Sequence, residues 1–216
     1  MALASHSYTE ILPRLLSPST HILFSLPISP QQRILPSSTI SDLSLHPVLE
    51  SILHVLNYDL PSAHFLLRHM QAPPAHKAMF LHGVLHRMEG DLENAWAWYV
   101  DVKDAEVMKV VWAGNGAAQG DRKLAPEDSS ESAIDHALLF LDGLIEAKTT
   151  VCSGKVAPQE LTQTSLGEFS LLWALCENKF GTAQVLEASS IWLSMAEKHA
   201  DFTEKMITGG EGWREF

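Results

Sequence analysis

Residues 49–67 and 81–99 are two versions of one stretch. LESILHVLNYDLPSAHFLL aligns with LHGVLHRMEGDLENAWAWY at a shift of 32 residues and without a gap. The identities are Leu49/Leu81, Leu53/Leu85, His54/His86, Asp59/Asp91, Leu60/Leu92 and Ala63/Ala95, with Ile52/Val84 and Leu56/Met88 similar. A repeat this short is one supersecondary unit, too small to bury its own apolar face. It becomes stable only by stacking on a neighbour. Val48, Leu49, Ile52, Leu53, Val55 and Leu56 fall at helical spacing, so the unit reads as a helix, a tight turn and a second helix. The shared D-L-x-[S/N]-A places Asp59 and Asp91 where a carboxylate caps the second helix through its free N–H groups.

The same period extends over the middle of the chain. Helices are expected from His46, over Asp59–His69, over Ala75–Met88 and from Leu92, giving hairpins at 46–70 and 75–112. The stretch 113–132 is polar, with three glycines and a proline, and reads as a mobile loop. A fifth helix is expected over Ser132–Lys148, with Ile134, Leu138, Leu141 and Ile145 as its stripe. SGKVAP breaks it, and two more helices follow over Pro158–Lys179 and Thr182–Lys198. C-terminal helices thus occupy 133–200, and a Gly-rich tail with Trp213 fills 207–216. Residues 1–45 hold five of the eleven prolines and ten serines. This spacing of prolines excludes a long helix. The reading is an irregular arm with at most a short helix around 7–16 and ILFSLPI as an extended strap. No stretch alternates as a strand does. The expected class is all-α, antiparallel helical hairpins in a single domain with that arm.

The hairpin pattern resembles the tetratricopeptide repeat. That resemblance puts Gly83 where the two helices touch, Gly90-Asp91 at the turn, Ala95 at the small position of the second helix and Tyr99 at its large aromatic. The match covers 76–102 and, in part, 46–69; the family's terminal proline is missing, and the period is 32 where the family uses about 34 residues. A third copy, WALCENKFGTAQVLE (173–187), shares only a turn at Asn178-Lys179-Phe180-Gly181 and Ala183. The segment HxxxHRxEGDxxNAxxWY is also similar to a group of small uncharacterised fungal and bacterial proteins. This second resemblance implies no activity, and it loosely suggests a fungal biosynthetic pathway.

Charge narrows the partners. The chain carries 26 acidic and 15 basic residues, a net −11, and no run of four basic residues, which disfavours a phosphate backbone. Nucleic acid is not an expected partner. No apolar run reaches the roughly 18 residues of a membrane span, and MALASHSYTEILPRLL lacks a basic segment ahead of a long apolar one, so no secretory signal is expected. Two isolated cysteines, Cys152 and Cys176, fit a reduced, cytoplasmic setting rather than a disulfide scaffold or zinc knuckle. No GxGxxG, GxxxxGK[ST] or GxSxG occurs.

The chemistry-bearing residues concentrate in one place. Seven of the eleven histidines lie between positions 46 and 86: His46, His54, His64, His69, His76, His82 and His86. His82 and His86 are i,i+4 and share a helix face, a spacing at which two imidazoles can hold one divalent metal ion. Glu89 follows His86 by one turn and completes a two-His-one-carboxylate set. The same His82 and His86, with Asp91, form a candidate acid–base group. Against this stands a structural reading, in which the histidines pack into the hairpin and His54, the repeat partner of His86, does likewise. Trp96, Trp98 and Tyr99 cannot share one face, since Trp96 and Trp98 are about 200° apart around a helix. At least one of the three rings meets another hairpin, the arm or a ligand. Two functions stay open: a helical binding protein for a partner protein or a small apolar molecule, and a small, metal-dependent enzyme using the His82/His86/Glu89 face.

Overall fold

A computed structural model describes residues 6–16, 33–115, 129–152 and 159–192, and no strand occurs among the described residues. The helices are α1 (Tyr8–Leu15), α2 (Ser37–Ser41), α3 (Pro47–Leu56), α4 (Leu60–Leu67), α5 (His76–Glu89), α6 (Leu92–Asp101), α7 (Glu106–Asn115), α8 (Ser129–Cys152) and α9 (Gln159–Phe180). The class is all-α, and no described helix is long and apolar enough to cross a membrane.

The repeat appears as two helical hairpins, α3–α4 and α5–α6, whose turns share their backbone hydrogen bonds, while the expected carboxylate cap forms at Asp91 and not at Asp59, which accepts from Ser37 instead. Tyr58 and Gly90 both take left-handed backbone angles, φ +57° and +82°. The N–H of Asp59 donates to the His54 carbonyl at 2.8 Å, and that of Asp91 to the His86 carbonyl at 2.9 Å. One turn on, Ala63 and Ala95 donate to the Asp59 and Asp91 carbonyls, each at 3.1 Å. Both alanines are fully buried, as a small residue at a close helix contact must be. Gly83 completes the crossing in the second hairpin: a Cβ there would lie 2.7 Å from two ring carbons of Tyr99 and 3.1 Å from the Trp98 Cβ. Helix α4 packs on α5, and α7 packs on both α8 and α9. His64 on α4 therefore faces the second hairpin.

Arg87, on α5, reaches away from the hairpin turn into the α9 side of the core. It pairs with Glu168 and donates to Ser165 Oγ at 2.7 Å, and Tyr99 also donates to Glu168. The Phe140 ring lies 5.1 Å from the guanidinium carbon. A charge excluded from water needs such partners, since an unpaired one costs several kcal/mol.

The described parts of the N-terminal arm, 6–16 and 33–45, hold more helix than its prolines suggest. The helix expected around 7–16 forms as α1, and its Tyr8 hydroxyl accepts from Trp173 Nε1 at 3.0 Å. A second short helix, α2, forms where the proline spacing predicts irregular chain. It is docked because Asn57 exchanges two hydrogen bonds with the backbone of Leu35, at 2.7 and 2.9 Å, and Ser37 donates to Asp59 at 2.5 Å.

Four other expectations change. The stretch 75–112 holds three helices rather than a pair, because Val102 and Lys103 close α6 with short-range bonds to Tyr99 and Val100 before α7 begins. Both ends of the stretch expected as a polar loop, 113–132, are helical, with α7 running to Asn115 and α8 starting at Ser129, while 116–128 lies outside the described residues. On α8 the buried stripe is Ala133, Ala137, Phe140, Leu141, Leu144 and Ala147, while Ile145 is exposed. The helix expected over Thr182–Lys198 is absent from its described part, 182–192. Gly181 takes φ +68° and ends α9, and the Val185 N–H donates to the Ser44 carbonyl at 2.6 Å instead of to a helical neighbour. No third hairpin forms there. ILFSLPI, SGKVAP and the tail 207–216 with Trp213 lie outside the described residues.

Candidate functional site

His82 and His86 do share one face of α5, and their rings stack with centroids 4.9 Å apart and planes 11° from parallel. Trp98 of α6 covers the other face of His82 at 4.5 Å. The glycine at position 83 lets α6 come close enough for that stack. From the first hairpin, His64 of α4 meets both rings edge-on, at 4.7 Å from His82 and 5.1 Å from His86. One ligand-capable atom from each of the three histidines lies within 4.8 Å of the other two.

The second layer is polar. Glu89 Oε2 approaches His86 Nδ1 to 3.0 Å and Glu89 Oε1 approaches His64 Nδ1 to 3.7 Å. Asn94 Nδ2 lies 3.3 Å from His86 Nε2. Both nitrogens of His86 thus have a polar neighbour. His82 differs: it is 2% exposed, and neither of its ring nitrogens has a hydrogen-bond partner among protein atoms. Burial, reinforced by the neighbouring His64, His86 and Arg68, holds the His82 imidazolium pKa well below its ordinary value. Burial, then Arg68 and His86, brings His64 down to about 3. Near neutral pH these two rings are uncharged, with lone pairs available as ligands.

The remaining sequence candidates fall elsewhere. Asp91 caps α6, its Oδ1 accepting from the Asn94 N–H at 3.2 Å. Trp96 is 45% exposed on the outer side of α6. Tyr99 is fully buried, stacked on Phe80 at 5.1 Å and bonded to Glu168. Of the three aromatics, Trp98 alone touches the histidine cluster. His64 belongs to the histidine-rich span, but the sequence gives no cue that α4 presents it to α5.

A cleft of about 470 Å³ lies apart from this cluster, where the entry to α3, the start of α5, the end of α9 and residues 190–192 meet. Val48, Met70, Phe180, Ile191 and Trp192 supply its apolar lining. His46 stacks on Phe180 at 3.7 Å, nearly parallel, and burial pushes its pKa down to about 4. Lys77 pairs with Glu106 at 3.0 Å on the polar side. No protein-family model, curated protein or solved structure matches the chain.

Proposed function

We propose that this is a TPR-like helical-hairpin protein that works by binding, and that its ligand is a small, largely apolar molecule held in the 470 Å³ cleft. The observation that carries the reading is the cleft's composition. Its volume falls within the roughly 300–1,000 Å³ of small-molecule sites, which join apolar walls to a few placed polar groups. The stacked His46–Phe180 pair and Trp192 offer flat apolar surface, and Lys77, Glu106 and Lys179 supply charge at the side. A neutral His46 keeps the wall apolar near neutral pH. The unpaired, buried Cys176 fits the reducing cytoplasm as the setting.

The test is a fluorescence titration of the full chain with the apolar dye anilinonaphthalene sulfonate. Saturable binding is expected, and Ala75→Trp, which puts a bulky ring into the cleft from a half-buried lining position, should abolish it at unchanged melting temperature. Unaltered dye affinity in that variant would place the ligand elsewhere.

A further inference from the structure

We propose that His64, His82 and His86 bind a divalent transition metal, zinc foremost, through one ring nitrogen each, with Glu89 supplying the adjacent negative charge. This site is separate from the apolar cleft and does not depend on it.

Three observations converge. The first is geometric. The three ligand atoms already lie within 4.8 Å of one another. A tetrahedral zinc with Zn–N bonds of about 2.0–2.1 Å sets its nitrogens roughly 3.3 Å apart. The remaining gap of about 1.5 Å is of the size that side-chain rotation can close.

The second is the condition of His82. A buried imidazole with two unpartnered nitrogens leaves donor and acceptor capacity unused, which costs stability unless something fills it. His54, the repeat counterpart of His86, shows what a structural histidine looks like in this fold. It has a carboxylate near each nitrogen, Glu50 at 3.6 Å and Asp59 at 3.3 Å, although the Asp59 contact with Nδ1 is not aligned as a hydrogen bond. His82 instead faces two other imidazoles and an indole, surroundings that supply a metal with ligands but offer His82 no hydrogen bond.

The third is the outer sphere. Metal-bound histidines generally give their second nitrogen to a carboxylate, amide or carbonyl, which fixes ring orientation and raises basicity. Whichever nitrogen His86 gives to the metal, the other has a polar neighbour, Glu89 Oε2 at 3.0 Å from Nδ1, not yet aligned as a hydrogen bond, or Asn94 Nδ2 at 3.3 Å from Nε2. Glu89 also stands beside His64 Nδ1 and is partly exposed, so the cluster opens to solvent at that edge. Imidazole donors suit zinc, copper, nickel and iron over magnesium or calcium. Three protein ligands leave the fourth position to water or to an incoming ligand, the arrangement that distinguishes reactive from closed zinc sites. The ion would also join the two hairpins, since His64 comes from α4 and the other two ligands from α5.

The experiment uses tag-free full-length protein stripped with a chelator, then titrated with Zn²⁺ by calorimetry and with Co²⁺ by visible absorption. The expected result is one ion per chain with a Kd of about 1 µM or tighter, the visible bands of four-coordinate cobalt, and a melting temperature that rises with zinc. His82→Phe keeps a ring stacked between His86 and Trp98 and should weaken binding by more than about 100-fold, beyond what losing an outer-sphere partner does. His64→Ala, at a less buried position, should do the same and serves where His82→Phe does not fold. His69→Ala, outside the cluster, should bind as the parent does. No saturable binding would overturn the proposal. So would binding that survives both His82→Phe and His64→Ala, which would mark adventitious surface histidines.

Discussion

Tyr58 and Gly90 stand 32 residues apart at the same turn position, and both adopt positive φ, +57° and +82°. The geometry belongs to the repeat, while the residue filling it does not. After the final helical residues, the chain must reverse within one residue so that the next N–H can reach back to a histidine carbonyl, and the left-handed conformation does this. A tyrosine held there carries a Cβ strain that glycine avoids, on the order of 1–2 kcal/mol.

The first prediction follows from that pair. Gly90→Ala should destabilise by about 1 kcal/mol. The nearest heavy atom to an added Cβ is the Lys148 Nζ at 3.6 Å, so the loss comes from backbone strain and not from a clash. Chemical denaturation checks it, and an unchanged midpoint would show that the turn relaxes freely.

Gly83 tests a different mechanism. An alanine there gains helix propensity of about 1 kcal/mol, but its Cβ would sit 2.7 Å from the buried, stacked ring of Tyr99. That ring cannot withdraw without shifting Phe80. Overpacking of this kind costs about 1–3 kcal/mol, so Gly83→Ala should be net destabilising. Gly143→Ala is the internal comparison. Its Cβ would meet only a Leu161 methyl at 3.2 Å, and it should be neutral or mildly stabilising. Equal melting temperatures for the two variants would contradict the crossing described for α5 and α6.

The two hairpins were legible from sequence because their cues are local. Asp59 and Asp91 mark the turns, Ala63 and Ala95 the close contacts, and Gly83 the crossing, each within a 19-residue alignment read without reference to the rest of the chain. What went unread depends on the docking of distant elements. His64 joins His82 and His86 only because α4 settles on α5 at one rotation, a fact that no periodicity records. Arg87 finds Glu168 across 81 residues. Ser37 and Leu35 are ordered by Asp59 and Asn57, so a stretch that looks irregular in composition acquires structure from its partner. The missing helix after Gly181 has the same origin, since Val185 gives its N–H to Ser44.

Arg87 and Glu168 support a third prediction. Neither side chain is exposed, and burial pushes the Glu168 carboxyl up despite Arg87 beside it. Removing one partner strands the other charge, so Arg87→Met should destabilise by about 3–5 kcal/mol. Adding Glu168→Gln to Arg87→Met leaves a neutral amide that can still accept from Tyr99, and the double variant should recover part of the loss. A double-mutant cycle by urea denaturation measures the coupling. Strictly additive losses would mean that the pair does not interact.

The last prediction concerns acid. In the folded chain His64 is held at about 3, His46 at about 4 and His82 well below its ordinary 6.5, burial being the largest cause for each. A base whose pKa is depressed on folding stays neutral in the native state while the unfolded chain takes up the proton. Its contribution is therefore fully present above the unfolded pKa of 6.5 and is lost as pH falls toward the folded value. Asp59 is placed differently: burial would raise it, but hydrogen bonds from Ser37 and Ser62, with His54 and Arg33 nearby, hold it below its ordinary 3.8. Its share of stability is lost only at still lower pH. In the interval from about pH 6.5 down to about pH 4.5 the histidines lower stability as the unfolded chain takes up protons, while Glu168, whose carboxyl is raised by burial, acts in the opposite direction. In metal-free protein His82 and His64 should each remove on the order of 1 kcal/mol per pH unit there, with half-buried His46 contributing less because water screens it. Urea unfolding across that interval should show stability falling steadily, and the His64→Gln/His82→Phe double variant should flatten the decline by more than half. A double variant as acid-sensitive as the parent would mean that the cluster is already protonated in the folded protein.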